Sequence, residues 1–306
     1  MTARVFIDGQ SGTTGLGIQA RLEAIPQITL AELPPAERKN PAAKAEILRS
    51  VDLAILCLPN AAAEESVALI ASLGDAAPRV LDASTAHRVA PGWVYGFPEL
   101  AAGQEDEIRT APRVANPGCY ATGAVALLRP LVDARLIPPD FPITINAVSG
   151  YSGGGKTMIV DFESGHGPNF ELYALDLEHK HIPEIVAYGG LTRRPIFVPS
   201  VGNFAQGMLV SIPLFLDDLP EKPQAAALHA ALAAHYAETA YIRVLRPDNE
   251  TRIEPESLND SNDLELRVFA SPDQRQAVLV AKLDNLGKGA SGAAVQNLRL
   301  MLGLVD

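Results

Sequence analysis

The sequence predicts an α/β protein of two domains, with a doubly wound parallel sheet in the front third and an α+β domain after it. Three observations favour this class. Nearly continuous apolar strands alternate with amphipathic helices as far as RVLDAS, which is typical of a parallel sheet covered on both faces. From about Phe141 strands follow one another without that alternation. The last helix, GASGAAVQNLRLMLGL, has an apolar face that we expect to pack onto the first domain.

The first domain begins with a strand, a glycine-rich turn and a helix. RVFIDG predicts the strand, and the segment after it places Gly9, Gly12 and Gly15 ahead of a helical pattern that stops before Pro26. This order brings backbone N–H groups to a helix N-terminus, where a pyrophosphate binds. The spacing is GxxGxxG rather than GxGxxG, so a glycine turn without a ligand is the alternative interpretation.

Further strands and helices follow in the first domain. They are predicted at ITLAEL, PAAKAEILRSV, VDLAILCLP, AAAEESVALIASLG and RVLDAS. Glu32 ends the second strand, where an acidic residue usually binds the ribose 2′-OH of NAD. Arg38 and Lys39 follow closely and could pair with the 2′-phosphate of NADP. We favour NADP; in the alternative, all three side chains simply face solvent.

The second domain is predicted to hold a mixed or antiparallel sheet. Strands are indicated at ITINAVSG, RPIFVPSVG, GMLVSIPLFL, YIRVLRP, LELRVFA and QAVLVAKLDNL, and helices at 223–238 and HIPEIVAYGG. The polar segment 247–263 predicts a loop. The predicted domains are 1–117 with 287–306, which binds a dinucleotide, and 118–286, which is catalytic. An exposed sheet face in the latter favours a homo-oligomer, a dimer or a tetramer.

Composition excludes several classes of protein. Of 306 residues, 47% are hydrophobic and 20% charged, which is ordinary for a soluble enzyme. The net charge of −11 argues against nucleic-acid and anionic-membrane partners, but not against an anionic small substrate. MTARVFIDG lacks a signal-peptide core, and no apolar run approaches the about 20 residues of a membrane span. With two cysteines and no disulfide framework, we expect a cytoplasmic protein.

Cys119 is a candidate nucleophile because of its place in the chain. It follows Pro117–Gly118 and precedes a helical pattern, whereas Cys57 lies within a buried strand and is interpreted as a core residue. A thiolate is the reactive form of cysteine, and a helix N-terminus stabilises an anion. An inert, half-buried thiol is the competing interpretation, and spacing alone favours neither.

A histidine pair and a glycine-rich segment supply possible partners for the thiol. HKHIPEI holds His179 and His181 at the start of a predicted helix that carries Glu184, so one imidazole could act as a general acid and base. No further cysteine or histidine cluster accompanies the pair, which argues against a metal. SGYSGGGK at 149–156 could form an anion-binding nest, or be only a surface turn. Arg88 and Arg193–Arg194 are possible anion clamps.

These motifs together resemble those of the N-acetyl-γ-glutamyl-phosphate reductase family. The similarity runs through DGQSGTTG, LDASTAHR, YGFPEL, ANPGCYATG, VSGYSGGGK, HKHIPEI and NLGKGASGAAVQNLRLMLGL, and so covers nearly all of the chain. The resemblance implies a Rossmann-type domain and a second domain like that of glyceraldehyde-phosphate dehydrogenase. It also implies an arginine-biosynthesis enzyme in which Cys119 forms a thioester with an acyl-phosphate substrate, which NADPH reduces to the semialdehyde.

The resemblance assigns roles to individual residues. His181 is favoured over His179 as the imidazole that pairs with Cys119, without a firm separation of the two. The implied substrate-binding residues are Arg88, Ser149, Gly150, His179 and Glu184. The implied coenzyme-binding residues are Gly9, Gly12, Thr14, Gly15, Arg38, Pro59, Asn60, Asn285 and Lys288. No metal is implied.

Three other functions stay open at the level of sequence. Aspartate-semialdehyde dehydrogenase shares the thioester mechanism, and an N-acetylaminoadipyl-phosphate reductase would differ by one methylene of substrate, worth only about 1–3 kcal/mol of discrimination. A nucleotide-sensing regulator with the same first domain would have no need of Cys119 and His181 together. Their joint presence therefore favours an enzyme.

Overall fold

The computed structural model describes residues 2–38, 40–246 and 250–304. The chain divides into two compact units, Met1–Pro117 with Ala290–Asp306, and Gly118–Gly289. Lys39, a sequence candidate for binding phosphate, and residues 247–249 of the predicted loop lie outside the described residues.

The elements before Cys119 alternate strongly. They are β1 (Ala3–Asp8), α1 (Thr13–Glu23), β2 (Ile28–Ala31), α2 (Pro41–Arg49), β3 (Leu53–Leu56), α3 (Asn60–Ala71), β4 (Arg79–Asp82), β5 (Val94–Tyr95), α4 (Gln104–Thr110) and β6 (Arg113–Ala115).

The elements from Cys119 onward are richer in strands. They are α5 (Cys119–Asp133), β7 (Thr144–Gly150), α6 (Lys156–Glu163), β8 (Phe170–Leu172), α7 (Ile182–Tyr188), β9 (Ile196–Gly202), β10 (Met208–Phe215), α8 (Ala225–His235), β11 (Ile242–Leu245), β12 (Leu264–Ala270), β13 (Gln276–Leu283) and α9 (Gly292–Leu302).

The first unit is built on a parallel sheet in the order β2-β1-β3-β4-β6-β5. Alternate residues of one strand enter two different cores: Val5 and Ile7 join one cluster, and Phe6 joins the other. Helix α9 adds Ala294, Leu298 and Met301 to the first cluster, as its sequence pattern predicts. Apolar side chains are therefore buried on both faces, and the prediction of a doubly wound sheet is confirmed.

The second unit holds a mixed sheet in the order β11-β12-β13-β10-β7-β9-β8. Helix α5 packs against β10 and β13 and is buried along most of its length. Because the pairs β11–β12 and β7–β9 are parallel and the others antiparallel, the predicted α+β architecture is confirmed.

Several short elements differ from what the sequence pattern indicates. The glycine-rich segment at 149–156 forms a 3₁₀ turn over Tyr151–Gly154, and Lys156 begins helix α6 rather than ending an irregular loop. Helix α4 and strands β5 and β8 are too short to show a periodic pattern, and tertiary contacts stabilise them. One such contact is the hydrogen bond from Gln104 Nε2 to the Tyr95 carbonyl, at 2.6 Å.

The glycine turn after β1 depends on Gly9. Its φ is +90°, and a Cβ at this position would lie 2.2 Å from the carbonyl oxygen of Cys57. Gly12 has an ordinary φ of −79° and caps α1. A Cβ there would meet only the Gly9 carbonyl oxygen, at 3.6 Å. Gly9 thus permits the close approach of the turn to the end of β3, whereas Gly12 has room for a methyl group.

The first testable prediction compares these two glycines. Gly9→Ala should lower the free energy of unfolding of the first unit by at least about 1 kcal/mol, because both the positive φ and the Cys57 contact oppose a side chain. Gly12→Ala, the matched control, should change it by less than about 0.5 kcal/mol. Urea unfolding followed by the fluorescence of Trp93, the single tryptophan of the chain and part of this unit, measures both. Equal losses in the two variants would contradict the interpretation.

Candidate active site

Cys119 is the first residue of helix α5. The residue before it, Gly118, has extended backbone angles and forms the N-cap, and the thiol is partly buried. Thr122 strengthens this end of the helix, because its backbone N–H and its hydroxyl both donate to the Gly118 carbonyl, at 2.9 and 3.1 Å. The sulfur therefore lies at the positive end of a 15-residue helix, a position that favours negative charge.

Glu184 joins helix α7 to the start of helix α5. Its side chain is 1% exposed, and its Oε2 accepts the backbone N–H of Gly118 at 3.0 Å. Helix α7 has His181 as its N-cap and Glu184 in its first turn. Glu184, which bonds to the N-terminus of α5, is thus only three positions from the candidate imidazole of His181, and both residues are buried. Glu184, predicted to face substrate, has this structural contact as well.

The two histidines differ in the hydrogen bonds that they make. Nδ1 of His179 accepts the backbone N–H of His181 at 3.1 Å, and the two rings lie nearly perpendicular, with centroids 4.7 Å apart. In this arrangement Nδ1 of His179 is an acceptor, so Nε2 is the ring nitrogen that can donate a hydrogen bond. Protonation of His179 would break the bond. The geometry therefore favours His181 for a role in which a proton is gained and lost.

A pair of tyrosines that sequence reasoning missed completes this cluster. Tyr120 donates its hydroxyl hydrogen to the Ser200 carbonyl at 2.9 Å, and Tyr173 donates to the Tyr120 hydroxyl at 3.2 Å. Burial raises the pKa of both phenols, and the charge of Cys119 raises it further, so both stay protonated. The Tyr120 ring lies 5.8 Å from that of His179 and 5.9 Å from that of His181. The position next to Cys119 was a signal for Tyr120, but no signal pointed to Tyr173.

Ser149, Gly150 and Asn285 belong to a second cluster of buried polar groups. Ser149 is 1% exposed, and its hydroxyl donates to the Gly150 carbonyl at 3.0 Å. The Asn285 side chain donates to Ser152 Oγ at 2.9 Å and accepts the Gly207 N–H at 2.8 Å. The Gly150 N–H in turn donates to the Gly207 carbonyl at 2.9 Å. Asn285, predicted to contact nicotinamide, therefore braces the loops that carry predicted substrate residues.

Gly289 is a further residue that the sequence reasoning missed. It lies in a π-helical turn over Gly287–Ser291, and a Cβ on it would lie 2.8 Å from Cβ of Cys119. The neighbouring Lys288 is 1% exposed, and its Nζ lies 5.4 Å from the centre of the Tyr241 ring. The small residues of GKGASG indicate a turn in the sequence, but only the structure shows that Gly289 packs against Cys119.

The predicted coenzyme residues of the first unit fall into two groups. Gly9 and Arg38 line a cavity of about 660 Å³, together with Gln10, Ser11 and Lys44. Gly12, Thr14 and Gly15 form the N-terminus of α1 beside this turn, and Gly15 packs against the Gly9 carbonyl oxygen. Pro59 caps α3. The Asn60 side chain accepts a hydrogen bond from the Thr85 hydroxyl at 2.8 Å. Glu32 accepts one from Nε2 of Gln10 at 3.3 Å. Pro59, Asn60 and Glu32 are not among the residues that line the cavity.

Arg88, a predicted substrate residue, is buried in the first unit. Its Nε donates to the Asn116 carbonyl at 3.1 Å. The adjacent His87 hydrogen bonds to Asp82 at 2.6 Å and stacks on Trp93. Cys119, Ser149, Gly150, His179, His181 and Glu184 all belong to the second unit.

Two sequence models of protein families match the chain. The one described as "Semialdehyde dehydrogenase, NAD binding domain" matches residues 27–110, and "Semialdehyde dehydrogenase, dimerisation domain" matches residues 119–285. An N-acetyl-gamma-glutamyl-phosphate reductase of Chelativorans sp. (strain BNC1) is 54% identical over 99% of both chains. The reductase of Brucella ovis is 50% identical over 99% of this chain and all of its own.

The chain belongs to the N-acetyl-gamma-glutamyl-phosphate reductase family. It is an oxidoreductase with an NAD-binding domain of the semialdehyde dehydrogenase type. Aspartate semialdehyde dehydrogenase II of Vibrio cholerae matches 99% of the chain with a TM-score of 0.69 and 16% identity. The Candida albicans enzyme, solved with NADP, matches all of it with a TM-score of 0.67 and 15% identity. At these identities the solved structures show a shared fold alone.

The described part of this member of the reductase family holds neither a membrane-spanning helix nor a cluster of metal ligands. Over residues 2–38, 40–246 and 250–304, no helix is long and apolar enough to cross a membrane. Within the same ranges, no three His, Cys, Asp or Glu side chains are grouped so that they could hold a metal ion.

The two cysteines of this family member lie in different environments. Burial raises the pKa of the Cys57 thiol to about 12, and the carboxylates of Asp82 and Asp8 contribute. Cys57 is therefore a neutral thiol at any pH at which the protein is ordinarily studied. Cys119, in contrast, lies at a helix N-terminus.

The second testable prediction follows from this difference. Iodoacetamide at pH 7–8 should alkylate Cys119 in the folded protein and leave Cys57 unmodified, because only the thiolate reacts and the raised pKa of about 12 suppresses it at Cys57. Peptide mass spectrometry identifies the modified residue. In the control, Cys119→Ala should take up no label when folded and one label in urea. Rapid labelling of Cys57 in the native protein would contradict the assignment.

Proposed function

We propose that this chain catalyses the NADPH-dependent reduction of N-acetylglutamyl 5-phosphate to N-acetylglutamate 5-semialdehyde and phosphate, a step of arginine biosynthesis. The observation that carries the proposal is Cys119 at the N-terminus of α5, where Glu184, three positions after the buried His181, accepts the N–H of the preceding Gly118. The two reductases that are 54% and 50% identical over nearly the whole chain support the choice of substrate.

Cys119 performs the first chemical step. Its thiolate attacks the acyl carbon, the bond from that carbon to the phosphate oxygen breaks, and inorganic phosphate leaves as a thioester forms on the sulfur. The positive end of α5 stabilises the sulfur anion before attack. Ser149 and Gly150 lie in the same unit and are proposed to bind the substrate, as is Arg88 of the first unit.

His181 is proposed to handle the protons of the second step. NADPH, when bound, supplies the hydride that reduces the thioester. His181 donates a proton to the oxygen that gains negative charge and takes it back when the carbon–sulfur bond breaks, which releases the aldehyde and restores the thiolate. His179, fixed as an Nε2–H donor, is proposed to hydrogen bond to substrate without changing its protonation.

The first unit is proposed to hold NADP. Arg38 lines the cavity beside Gly9, while Glu32, which would repel a 2′-phosphate, does not line it. The volume of about 660 Å³ suits the adenosine part of a dinucleotide. Gly12, Thr14 and Gly15 would hold the pyrophosphate at the start of α1, and Pro59, Asn60, Asn285 and Lys288 are proposed to lie on the nicotinamide side.

A homo-oligomer is proposed to form through the sheet of the second unit. Phe170, Leu172 and Val278 are 58%, 49% and 38% exposed and line an open concave surface of that sheet. The occupant is proposed to be a second copy of this chain, since the family model that covers the sheet is described as a dimerisation domain.

We accordingly propose that residues 118–286 serve catalysis and assembly and that 1–117 with 287–306 bind the coenzyme. A catalytic thiol also suits the reducing cytoplasm.

The third testable prediction is the reverse reaction. N-acetylglutamate 5-semialdehyde should reduce NADP only when phosphate is present, because phosphate must displace the thiolate from the thioester. Absorbance at 340 nm measures the rate. Turnover without phosphate would refute acyl-phosphate chemistry, and a higher kcat/KM with aspartate semialdehyde would favour the related dehydrogenase. N-acetylaminoadipate semialdehyde should be slower by about 10-fold or more.

Cys119→Ala is the control for that assay. It should abolish turnover and leave the Kd for NADPH within about threefold of the parent value, since the thiol is not part of the coenzyme cavity. Parallel loss of turnover and coenzyme binding would indicate that Cys119 is structural.

The fourth testable prediction concerns the oligomer. Phe170→Asp places a charge on the apolar sheet surface and should shift the protein toward the monomer in sedimentation velocity, by about 10-fold or more in the dissociation constant. Val160→Asp is the matched control, because Val160 is 54% exposed but lies on α6 outside the sheet. An unchanged oligomer in the Phe170 variant, or equal dissociation in both, would rule out this surface.

A further inference from the structure

A buried ion pair lies in the wall of the first-unit cavity. Asp8 ends β1, and its Oδ2 lies 2.8 Å from Lys44 Nζ of α2 and accepts the Ser66 hydroxyl of α3 at 2.8 Å. The side chains of Lys44 and Asp8 are only 18% and 10% exposed. These three residues line the same cavity as Arg38.

The cavity lies at the carboxyl ends of three neighbouring strands. Gly9 follows β1, Leu33 follows shortly after β2, and Leu58 follows β3. In a doubly wound sheet, this edge binds the ligand, and residues after the second strand contact the 2′ position of the adenosine ribose. Arg38 comes from that connection, so a 2′-phosphate is expected on the side of the cavity that Arg38 and Lys44 share.

Two carboxylates line the cavity, the exposed Glu65 and the less exposed Asp8. Water screens Glu65, whereas Asp8 is unfavourable for a phosphate ligand unless it is neutralised. A carboxylate at low exposure is weakly screened by water, so its negative charge would act across the cavity on a dianionic 2′-phosphate and oppose Arg38. The Ser66 hydrogen bond satisfies one oxygen of Asp8 but leaves its charge. Lys44 removes the charge, at a distance typical of a direct ion pair.

We propose that Lys44 is the residue that makes this cavity selective for NADP, by neutralising Asp8 so that Arg38 presents a net positive charge to the 2′-phosphate. The inference rests on the proposed use of NADP and adds a role for a pair that sequence motifs did not identify. Lys44 acts indirectly, by neutralising the Asp8 carboxylate, while Arg38 contacts the phosphate.

The competing roles of Lys44 make different predictions. If Lys44 only joined α2 to β1, its loss would weaken every adenosine ligand equally. If it were itself a phosphate ligand, its loss could not be compensated by removing the charge of Asp8. Neutralisation alone predicts a loss confined to ligands with a 2′-phosphate and a recovery when Asp8 is made neutral as well.

The fifth testable prediction is a double-mutant cycle read by binding, without turnover. Isothermal titration calorimetry would measure Kd for 2′,5′-ADP, which carries the 2′-phosphate, and for 5′-AMP, which lacks it. Lys44→Met should weaken 2′,5′-ADP by about 10-fold or more and 5′-AMP by less than about threefold. Asp8→Asn/Lys44→Met should bind 2′,5′-ADP within about threefold of the parent protein, and Asp8→Asn alone should bind it at least as tightly as the parent.

Controls separate this proposal from the proposed function. Arg49→Met removes an exposed cation from the same helix outside the cavity and should leave both Kd values unchanged. Thermal unfolding verifies that each variant folds; if Lys44→Met does not, Lys44→Gln takes its place in the cycle. A double variant as weak as Lys44→Met, or equal losses for both ligands, would overturn the role of Lys44 alone. A parent protein that binds the two ligands equally would overturn the use of NADP as well.

Discussion

The hydrogen bond between the Gly118 N–H and Glu184 joins helices α5 and α7, at whose starts Cys119 and His181 lie. It satisfies a donor at the start of a buried helix, a group that would otherwise be costly to bury, and it places the carboxylate at the positive end of that helix. Because Cys119 follows Gly118 and His181 caps the helix of Glu184, this contact of 3.0 Å joins the segments that carry both candidate residues. The local sequence around Cys119, or that around Glu184, could not join these two segments by itself.

Around that contact, the protein uses neutral donors rather than additional charges. The raised pKa values of Tyr120 and Tyr173 keep both hydroxyls protonated, and Nδ1 of His179 accepts the backbone N–H of His181. The charge of Cys119 contributes to the raised pKa of both phenols. This leaves His181 as the group whose charge is proposed to change during the reaction, and an acyl phosphate meets oriented dipoles that need no rearrangement.

The first unit solves a different problem, which is to bind a polyanion in a protein with a net charge of −11. Its glycine turn supplies N–H groups without charge, and Gly9 is required because the turn presses against the Cys57 carbonyl. Burial, with the carboxylates of Asp82 and Asp8, keeps Cys57 a neutral thiol. Positive charge is added locally by Arg38 and Lys44, and the latter is paired with Asp8. Local arrangement, rather than overall composition, therefore decides which ligand the cavity can accept.

The sequence by itself determined the two sheets, the glycine turn and the candidate nucleophile, because apolar periodicity and glycine or proline spacing act over a few residues. Tertiary structure alone decided the contact of Gly289 with Cys119, the hydroxyl pair of Tyr120 and Tyr173, and the bracing role of Asn285. It also placed Arg38 in the lining of the first-unit cavity and paired Glu32 with Gln10 of that lining. These features join residues distant in the chain or depend on side-chain direction, and a linear pattern carries no information about which distant groups meet.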